Sequence, residues 1–411
     1  MLNLKKILHI IAQRPEKTGS GTYLQALIEQ GEKKNYSQAV IAGIPANEPN
    51  EYFKTNVKFY PVLFETENLP FPVVGMTDIM PYKSTMYKNL NDDMINKWKN
   101  SFSKVLTKSV IEFKPDIIIT HHLWILSAMV KEMFPLIKTI AICHGTDLRQ
   151  MDLVPNFNNY VSKHCRNIDN ILALHENQKN EIIKRYQIDK NKITVVGVGF
   201  NPNIFYTNDT EKNIDKIKLI YAGKLNFAKG IPSLIKSYNK LDIDKNSIEL
   251  ILAGSGTGSQ FKAIEKMAEE SRLKIILKGS IPQNELSKLF RESHIFVFPS
   301  FFEGLPLVLT EALASGMLIV TTDLPGVKDF FGDYINKKGL IEYVKMPSLK
   351  SLDEPFEEDL PNFEKEFSKA IENQLKKIKN EYYKKDLKVK KVIDTMSWEG
   401  VFNKIENLFN S

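Results

Sequence analysis

Two glutamates stand eight positions apart in the run PSFFEGLPLVLTEALASG, which covers residues 299–316. The apolar segment IFVFPS predicts a strand, and a short acidic Gly turn separates it from a predicted helix that starts around Pro306. Glu303 lies just before this helix, and Glu311 lies within it, about a turn and a half further along. A helix N-terminus presents free backbone N–H groups and favours negative charge, so it suits an anionic ligand. The carboxylates would bind other parts of that ligand, such as hydroxyl groups.

Two lysines follow another predicted strand, IKLIYAG, in the segment KLNFAKG. Lys224 and Lys229 flank a loop at the carboxyl end of this strand, where two ammonium groups could neutralise a diphosphate. Solvated side chains are the alternative for both the lysines and the glutamates, because lysine is common in this chain and helices carry many exposed acids. The apolar surroundings of the two glutamates favour a functional site.

Two glycine-rich turns also follow predicted strands. KTGSGTY, residues 17–23, precedes the first predicted helix, where Gly19 and Gly21 would allow a tight turn and expose amides. LAGSGTGS, residues 252–259, contains Gly254, for which backbone contact with a nucleotide and simple tight packing are both open. Neither turn has the spacing of a dinucleotide fingerprint, which makes a dehydrogenase a poor fit.

One histidine occupies a strand end that should face a ligand. His144 begins the turn in CHGTDLR, where it could hold a substrate hydroxyl or stabilise developing charge, although a structural histidine is the common alternative. His121 and His122 are adjacent, so on a strand they would point to opposite faces. The seven histidines and two cysteines show no metal-ligand spacing, and no metal site is predicted.

The composition is that of an ordinary globular protein. The chain has 411 residues, of which 43% are hydrophobic and 26% charged, and its net charge of +7 weakly favours anionic partners. Scarce cysteine fits a reducing cytosol, and no apolar stretch is long enough for a membrane helix. The expected location is the cytoplasm. Peripheral contact at the inner membrane face is left open, because the lysine stripe of a predicted helix at 96–110 could lie on anionic lipid.

Apolar strand-like runs alternate with helical patterns almost throughout, which predicts an α/β fold with parallel sheets covered on both faces. The polar segment 200–216 is interpreted as a linker. Two Rossmann-like domains facing each other across a cleft are expected. The first covers residues 1–203 and is joined by an amphipathic C-terminal helix at 394–411, while the second covers residues 204–393. Residues 346–363 are expected to form an irregular loop.

Together these segments resemble the retaining nucleotide-sugar glycosyltransferases of the GT-B fold, in family 4. The resemblance spans nearly the whole chain and is strongest from Ile217 to Gly326. The E-x7-E element of that family matches Glu303 through Glu311, and its N-terminal glycine-rich loop corresponds to TGSGTY. The family's G-[RK]-L…K-G element matches Gly223, Lys224, Leu225, Lys229 and Gly230. Lys224 stands where many members have Arg, and Met317 replaces the usual Pro.

The resemblance implies roles for these residues. Lys224 and Lys229 would bind the donor diphosphate, Glu303 the donor sugar, and Glu311 the ribose hydroxyls, while His144 would lie near the reacting sugar. The expected catalytic residues are therefore His144, Lys224, Lys229 and Glu303. The expected donor-binding residues are Gly19, Gly21, Gly223, Gly254, Pro299, Gly304, Leu305 and Glu311. No metal ion or other cofactor is expected, and no nucleic acid partner.

The expected activity is transfer of a sugar from a nucleotide diphosphate sugar to a hydroxyl acceptor. A UDP-sugar is favoured by family frequency, and the acceptor is lipid-linked, a saccharide or a small molecule. One alternative is a sugar-nucleotide epimerase or hydrolase on the same fold. A second alternative is a non-catalytic nucleotide-sugar binding protein.

Overall fold

The computed structural model describes residues 5–48, 52–53, 56–77, 80–207, 212–351, 353–379 and 386–410. The chain forms two compact units. The N-terminal unit comprises Met1–Gly197 together with Trp398–Ser411, and the C-terminal unit comprises Val198–Ser397. The structure thus divides the chain after Gly197, whereas the sequence places the boundary between residues 203 and 204. Residues 208–211 of the predicted linker lie outside the described residues.

In the described residues, the N-terminal unit carries a seven-stranded parallel sheet in the order β3-β2-β1-β6-β7-β8-β9, and a separate two-stranded sheet pairs β4 with β5. The strands are β1 (Lys6–Ile11), β2 (Ser37–Pro45), β3 (Val57–Phe64), β4 (Val74–Gly75), β5 (Thr85–Met86), β6 (Ile117–His121), β7 (Lys138–Ile142), β8 (Asn170–Ala173) and β9 (Ile193–Val195). The helices between them are α1 (Gly19–Lys33), α2 (Asp92–Phe113), α3 (Ile125–Met133), α4 (Thr146–Leu153), α5 (Asn158–Cys165) and α6 (Glu176–Tyr186).

The strand β3 was not predicted from the sequence, and its position in the sheet explains why. The sequence VKFYPVLF carries Pro61 in its interior, and a residue without an N–H is confined to edge strands and bulges. β3 lies at the edge of the sheet and pairs with β2. The interior strand β1 instead reads as a continuous apolar run, because helices cover both faces of a parallel sheet.

The helix α2 contains the lysine stripe that left membrane contact open. Its residues Trp98, Phe102 and Leu106 are fully buried in the core of the N-terminal unit. The apolar side of α2 is therefore already occupied by the protein interior. None of the helices in the described ranges combines the length and apolar character needed to cross a bilayer.

In the described residues, the C-terminal unit carries a six-stranded parallel sheet in the order β12-β11-β10-β13-β14-β15. Its strands are β10 (Ile217–Ala222), β11 (Ile248–Ala253), β12 (Lys274–Gly279), β13 (Ile295–Phe298), β14 (Leu318–Thr322) and β15 (Ile341–Val344). Its helices are α7 (Ile231–Asn239), α8 (Gly258–Glu269), α9 (Gln283–Glu292), α10 (Leu307–Ala314), α11 (Val327–Lys337), α12 (Leu360–Lys379) and α13 (Leu387–Asp394). This is the strand order of a Rossmann fold, so the predicted fold class is confirmed.

Part of the segment expected to be an irregular loop is helical. α12 begins at Leu360, inside the segment 346–363, and Pro361 is tolerated there because first-turn N–H groups have no intrahelical partner. Phe363 and Phe367 face the core of the unit and are almost completely buried. Burial of these rings outweighs the loop-like composition of the preceding residues.

The chain ends in a helix that belongs to the N-terminal unit, α14 (Trp398–Glu406). Its buried side chains recur at helical spacing and are Trp398, Val401, Phe402 and Ile405. The Trp398 ring meets the Tyr23 ring of α1 edge-on at a centroid distance of 4.9 Å. At the other end of the helix, Glu406 forms an ion pair with Lys34 and accepts a hydrogen bond of 2.8 Å from Tyr36 Oη. Apolar packing and polar contacts together hold α14 on this unit.

Substitution of Phe402 by alanine should destabilise the N-terminal unit. The ring is fully buried and contacts Tyr36 and Phe409, so its removal leaves a cavity and should cost about 3–5 kcal/mol of unfolding free energy. Chemical denaturation followed by circular dichroism measures the change. The control Glu399→Ala removes an exposed side chain of the same helix and should change stability by less than about 0.5 kcal/mol. Equal stability of the two variants would contradict the described packing.

Candidate functional site

The loops that carry the predicted lysines and the first glutamate leave the sheet side by side. β10 and β13 are parallel neighbours, with Leu219 opposite Ile295 and Ile220 opposite Phe296. Segments 223–230 and 299–306, which follow these strands, therefore emerge at the same edge. The strand order changes direction between β10 and β13, and open α/β sheets bind ligands at such a point.

Lys229 and Glu303 form an ion pair at this edge. Lys229 Nζ lies 2.6 Å from Glu303 Oε1 and donates a second hydrogen bond of 3.1 Å to the carbonyl oxygen of Phe302. Ser300 Oγ contacts the same carboxylate oxygen at 3.2 Å. Both charged side chains keep between a fifth and a quarter of their surface exposed, so a ligand can reach them. The ammonium group of Lys229 has three N–H donors. Two of them bind Glu303 and the carbonyl oxygen of Phe302, so the third points away from both.

Lys224 lies at the other end of the same loop. Tyr221 Oη donates a hydrogen bond of 2.9 Å to the carbonyl oxygen of Lys224, which fixes the backbone directly after β10. Partial burial of the ammonium group and repulsion from Lys229 lower the pKa of Lys224, while attraction to Glu303 opposes this shift. These mutual effects indicate that the three charges share one region. Two ammonium groups and one carboxylate leave an excess of one positive charge there.

Gly230 joins this loop to α7 and lies against the strand end of β13. Its φ is +68°, and an added Cβ would lie 2.2 Å from the carbonyl oxygen of Pro299. A hydrogen bond of 3.0 Å from the Lys229 N–H to Asn226 Oδ1 closes the turn, and the Phe301 N–H donates to the carbonyl oxygen of Ala228 at 3.2 Å. The absence of a side chain at Gly230 thus lets the two loops meet.

Gly254 has an even closer backbone neighbour. An added Cβ would lie 1.7 Å from the carbonyl oxygen of Gly223, and the Gly254 N–H donates 2.8 Å to the carbonyl oxygen of Gly279. The Leu225 N–H also donates to the carbonyl oxygen of Ser255. Tight packing, which the sequence left open as one explanation of this turn, is therefore observed. Gly223 itself is exposed beside Lys224.

The helix α10 begins at Leu307, one residue after the predicted start, with Pro306 in the N-cap position. Gly304 is partly exposed and Leu305 is buried just before it. The first amides of a helix lack intrahelical partners, so this end of α10 offers N–H groups to a ligand. Glu311 lies within the helix and accepts a hydrogen bond of 3.3 Å from Gln283 Nε2, at the start of α9. Burial raises the pKa of Glu311 to about 7, against the opposing effect of that bond.

The remaining predicted residues lie in the N-terminal unit. His144 follows β7, and its Nε2 lies 3.2 Å from Nδ1 of His121. The two rings are nearly parallel, with an interplanar angle of 10° and centroids 5.4 Å apart. Tyr23 meets the His144 ring edge-on at 5.4 Å. Burial and the neighbouring His122 lower the pKa of His144 to about 3, although Asp147 opposes the shift. His144 is therefore a neutral hydrogen-bonding group at neutral pH.

The expectation that His121 and His122 point to opposite faces is wrong. β6 ends at His121, and His122 has a left-handed backbone with φ of +75°, so strand alternation no longer applies. Both rings contact the turn that follows β7. His122 Nδ1 lies 3.1 Å from Asp147 Oδ1, and the His144 N–H donates 2.5 Å to Asp147 Oδ2. Asp147 is fully buried, and its histidine contacts hold its pKa below the usual value although burial acts in the opposite direction.

The N-terminal glycine-rich turn begins α1, as predicted. Thr18 caps the helix, and its Oγ1 accepts a hydrogen bond of 3.0 Å from the Gly21 N–H. Gln13 Nε2 donates to both Thr18 Oγ1 and Ser20 Oγ. The Gly21 amide is thus already bonded within the turn. Gly19 is exposed and has no atom within 4 Å of an added Cβ.

Sequence reasoning missed several polar partners of the predicted residues. Ser300 could have been found, since it follows the same strand end as Glu303. Gln283 carried a weaker signal, because it meets Glu311 only through the fold, as Asp147 meets His122. Among the described residues, no group of three or more His, Cys, Asp or Glu side chains is arranged to hold a metal ion.

Substitution of Gly230 by alanine should destabilise the C-terminal unit more than the same change at Gly258. Both residues have a left-handed backbone, with φ of +68° and +71°, so both variants pay about 1–2 kcal/mol of backbone strain. Gly230→Ala must also displace the Pro299 carbonyl, whereas an added Cβ at Gly258 has no atom within 4 Å. The clash should add about 1–3 kcal/mol to the loss of unfolding free energy. Equal losses in urea denaturation would argue against the close contact.

Substitution of Glu311 by glutamine should alter how stability depends on pH. A carboxyl with a raised folded-state pKa stabilises the fold fully below its unfolded pKa, and this contribution is lost as pH rises through about 7. Glu311→Gln removes the titration. The gap between the thermal midpoint of this variant and that of wild type, both without ligand, should therefore shift in favour of the variant from pH 5 to pH 8. Calorimetric scans across this range measure the gap. A gap independent of pH would contradict the burial of the carboxyl.

Comparison with known proteins agrees with this architecture. Residues 18–203 match the family described as Glycosyltransferase Family 4, and residues 204–373 match the family described as Glycosyl transferases group 1. The second match contains the loops after β10 and β13 and the whole of α10.

The curated relatives are distant and longer than the matched segment. A probable sucrose-phosphate synthase of Thermosipho melanesiensis is 28% identical over 211 residues, which are 49% of this chain and 47% of that protein. The chain thus spans about half the length of the curated relatives it matches first.

Solved structures share the fold over nearly the full length. Sucrose-phosphate synthase from Thermosynechococcus elongatus superposes with a TM-score of 0.71 at 14% identity and covers 99% of this chain and 98% of its own. Anabaena Alr3699/HepE, solved in complex with UDP, has a TM-score of 0.68 at 11% identity and covers 99% and 100%. The chain therefore has the GT-B fold of these solved structures, and its N-terminal and C-terminal parts match the families described as Glycosyltransferase Family 4 and Glycosyl transferases group 1, respectively.

Proposed function

We propose that the protein transfers a sugar from a nucleotide diphosphate sugar to a hydroxyl acceptor, with retention of configuration at the anomeric carbon and without a divalent metal. The observation that carries this proposal is the cluster of Lys224, Lys229 and Glu303 on two adjacent loops at the carboxyl edge of the C-terminal sheet. A donor diphosphate carries several negative charges, and the excess positive charge of the cluster suits it.

The two lysines would stabilise the leaving diphosphate. Negative charge accumulates on the leaving group as the bond to the sugar breaks, and preorganised cations beside that charge lower the barrier. Lys229 is already oriented by Glu303 and Phe302, so little reorganisation is needed when the donor binds. In other enzymes a metal ion commonly neutralises this charge. Here the two lysines would do so, which supports the expectation that no metal ion is required.

The glutamates of the C-terminal unit would bind hydroxyl groups rather than attack the sugar. Glu303 is engaged by Lys229 and Ser300, which makes it a poor covalent nucleophile. In the proposed reaction, the bond from the anomeric carbon to the diphosphate oxygen breaks and a bond from that carbon to the acceptor oxygen forms on the same face. The departing diphosphate oxygen takes the proton of the acceptor hydroxyl.

The nucleotide and the remaining donor contacts follow from the same edge of the sheet. Glu311 would bind the ribose hydroxyls, and the amides of Gly304 and Leu305 at the start of α10 would contact the donor. Gly223, Gly254 and Pro299 would line the donor through their backbone. A uridine diphosphate sugar is the favoured donor, which is consistent with the UDP bound to the similar HepE structure. In the N-terminal unit, Gly19 and Gly21 would approach a substrate phosphate or the acceptor, and His144 would contact a substrate oxygen.

Product analysis tests the proposal against its alternatives. Purified protein is incubated with a panel of nucleotide sugars, with and without hydroxyl acceptors, in the presence of EDTA, and the products are identified by mass spectrometry and by NMR of the anomeric proton. Transfer with retained configuration is expected only when an acceptor is present. Free sugar or an epimer without acceptor would indicate a hydrolase or an epimerase. Saturable donor binding without any product would indicate a binding protein.

Replacement of Lys229 by alanine should slow the transfer step. Loss of one preorganised cation at the leaving group should cost about 2–4 kcal/mol of transition-state stabilisation, or about 30-fold to 1000-fold in kcat. The control Lys266→Ala removes another lysine that pairs with a glutamate in the same unit, Glu270, but lies on the exposed surface of α8. That variant should retain the wild-type kcat. Unchanged turnover in Lys229→Ala would refute the assigned role.

A further inference from the structure

Four histidines of the N-terminal unit form a chain of ring contacts, which are His9, His121, His122 and His144. His9, His121 and His122 are each almost completely buried, and each has one ring nitrogen that is buried without a hydrogen-bond partner. Their ring centroids lie 6.4 Å apart between His9 and His121 and 5.4 Å apart between His121 and His144. Burial lowers the pKa of His9, His121 and His144, and the location of the single proton on each of these three rings decides what the next ring can do.

The proton of His9 can be located from its partner. Gln38 Nε2 donates 2.9 Å to the carbonyl oxygen of Ile28, which leaves Gln38 Oε1 as an acceptor 3.0 Å from His9 Nε2. His9 Nε2 therefore carries the proton. Burial lowers the pKa of His9 to about 4, so the ring is neutral and its unpartnered Nδ1 is a lone pair. A buried lone pair without a partner is thus tolerated in this cluster.

The proton of His121 can be located in the same way. Its Nε2 is buried without a partner, and its Nδ1 meets Nε2 of His144 at 3.2 Å. Burial and the neighbouring His144, His9 and His122 hold the pKa of His121 well below its usual value, so this ring is also neutral. A proton on Nε2 would be an orphaned buried N–H, which folded proteins rarely contain. A proton on Nδ1 instead forms a hydrogen bond to His144.

The rest of the cluster keeps the His144 ring in place without occupying its second nitrogen. Asp147 holds the backbone N–H of His144, and its other oxygen holds His122. Tyr23 packs edge-on against the His144 ring and is itself locked by a hydrogen bond to the carbonyl oxygen of Gly197. Within the described residues, no hydrogen bond engages His144 Nδ1, and the residue remains partly exposed. Nδ1 is therefore the ring nitrogen of His144 that is left for a substrate.

We propose that His121 is a positioning residue whose Nδ1–H donates to Nε2 of His144 and thereby holds His144 as the Nδ1–H tautomer, a hydrogen-bond donor to a substrate oxygen. The inference deepens the proposed function and depends on it for the substrate contact. In this arrangement His144 does not act as a general base, because the nitrogen with the lone pair is engaged by His121. His144 instead orients or polarises a hydroxyl through its Nδ1–H.

Direct observation of the tautomer tests the proposal independently of any activity. Long-range 1H–15N correlation spectra of the full chain, with 15N-labelled histidine, distinguish a protonated ring nitrogen from a bare one. The resonances of His144 are assigned by their loss in His144→Asn. The expected wild-type pattern is a protonated Nδ1 and a bare Nε2 at His144. A proton on Nε2 of His144 would overturn the proposal, whether or not the protein transfers a sugar.

Two variants of His121 test the consequence for catalysis. Asn Nδ2 occupies nearly the position of His Nδ1 and can donate the same hydrogen bond, whereas Leu has a similar shape and no donor. His121→Leu should lower kcat about tenfold, the value of one hydrogen bond, and leave KM for the donor sugar almost unchanged. His121→Asn should restore most of kcat and the Nδ1–H signal of His144. Equal kcat in wild type and His121→Leu, with an unchanged tautomer, would refute the positioning role.

Failure of the proposed function and failure of the role of His121 give different results. If wild-type protein transfers no sugar from any donor, the proposed function fails, but the tautomer measurement still decides the state of His144. If His121→Leu does not fold, the wild-type spectrum and the comparison with His121→Asn remain decisive. Transfer activity with His144 protonated on Nε2 would retain the function and reject the role of His121.

Discussion

The parallel alignment of β10 beside β13 is the constraint on which the candidate site depends. Since both strands run in the same direction, the loops that follow them leave the sheet together, and Lys229 meets Glu303 across 74 positions of the sequence. The attraction within a partly buried pair is largely offset by the cost of removing its charges from water. Its main consequence is orientation, because each side chain restricts the rotamers of the other at the loop surface.

The same strand order supports a different chemistry in the N-terminal unit. Its central strands follow the order β2-β1-β6-β7, and the residues after β6 and β7 are histidines rather than lysines and glutamates. Burial keeps His9, His121 and His144 neutral, so these rings act through hydrogen bonds and not through charge. The buried carboxylate of Asp147 has its own partners in His122 and the His144 amide, as a buried charge requires. One fold thus presents lysines and a glutamate at the strand ends of one unit and histidines at the strand ends of the other.

Two glycines of the sequence motifs have a packing role. Gly230 admits the carbonyl of Pro299, and Gly254 admits the carbonyl of Gly223. These contacts bring the loops after β10, β11 and β13 into one surface. A substitution at Gly230 or Gly254 would therefore move the charged side chains as well as the backbone. Packing and binding are two consequences of the same close approach, and neither excludes the other.

The sequence by itself determined the fold class and the main interior strands, and it supplied the residues proposed for the site. Continuous apolar runs alternate with amphipathic helices, and strand ends carry Lys224, Lys229, Glu303 and His144, so these features depend on local pattern and connectivity. The edge strands β3 and β15 lacked such a pattern, because β3 contains Pro61 and β15 has only four residues. Tertiary structure alone decided the long-range polar partners, such as Gln283 for Glu311, and the convergence of His121 and His122 on the turn of Asp147. The physical reason is that burial, proton location and a left-handed backbone angle arise only when distant segments pack together.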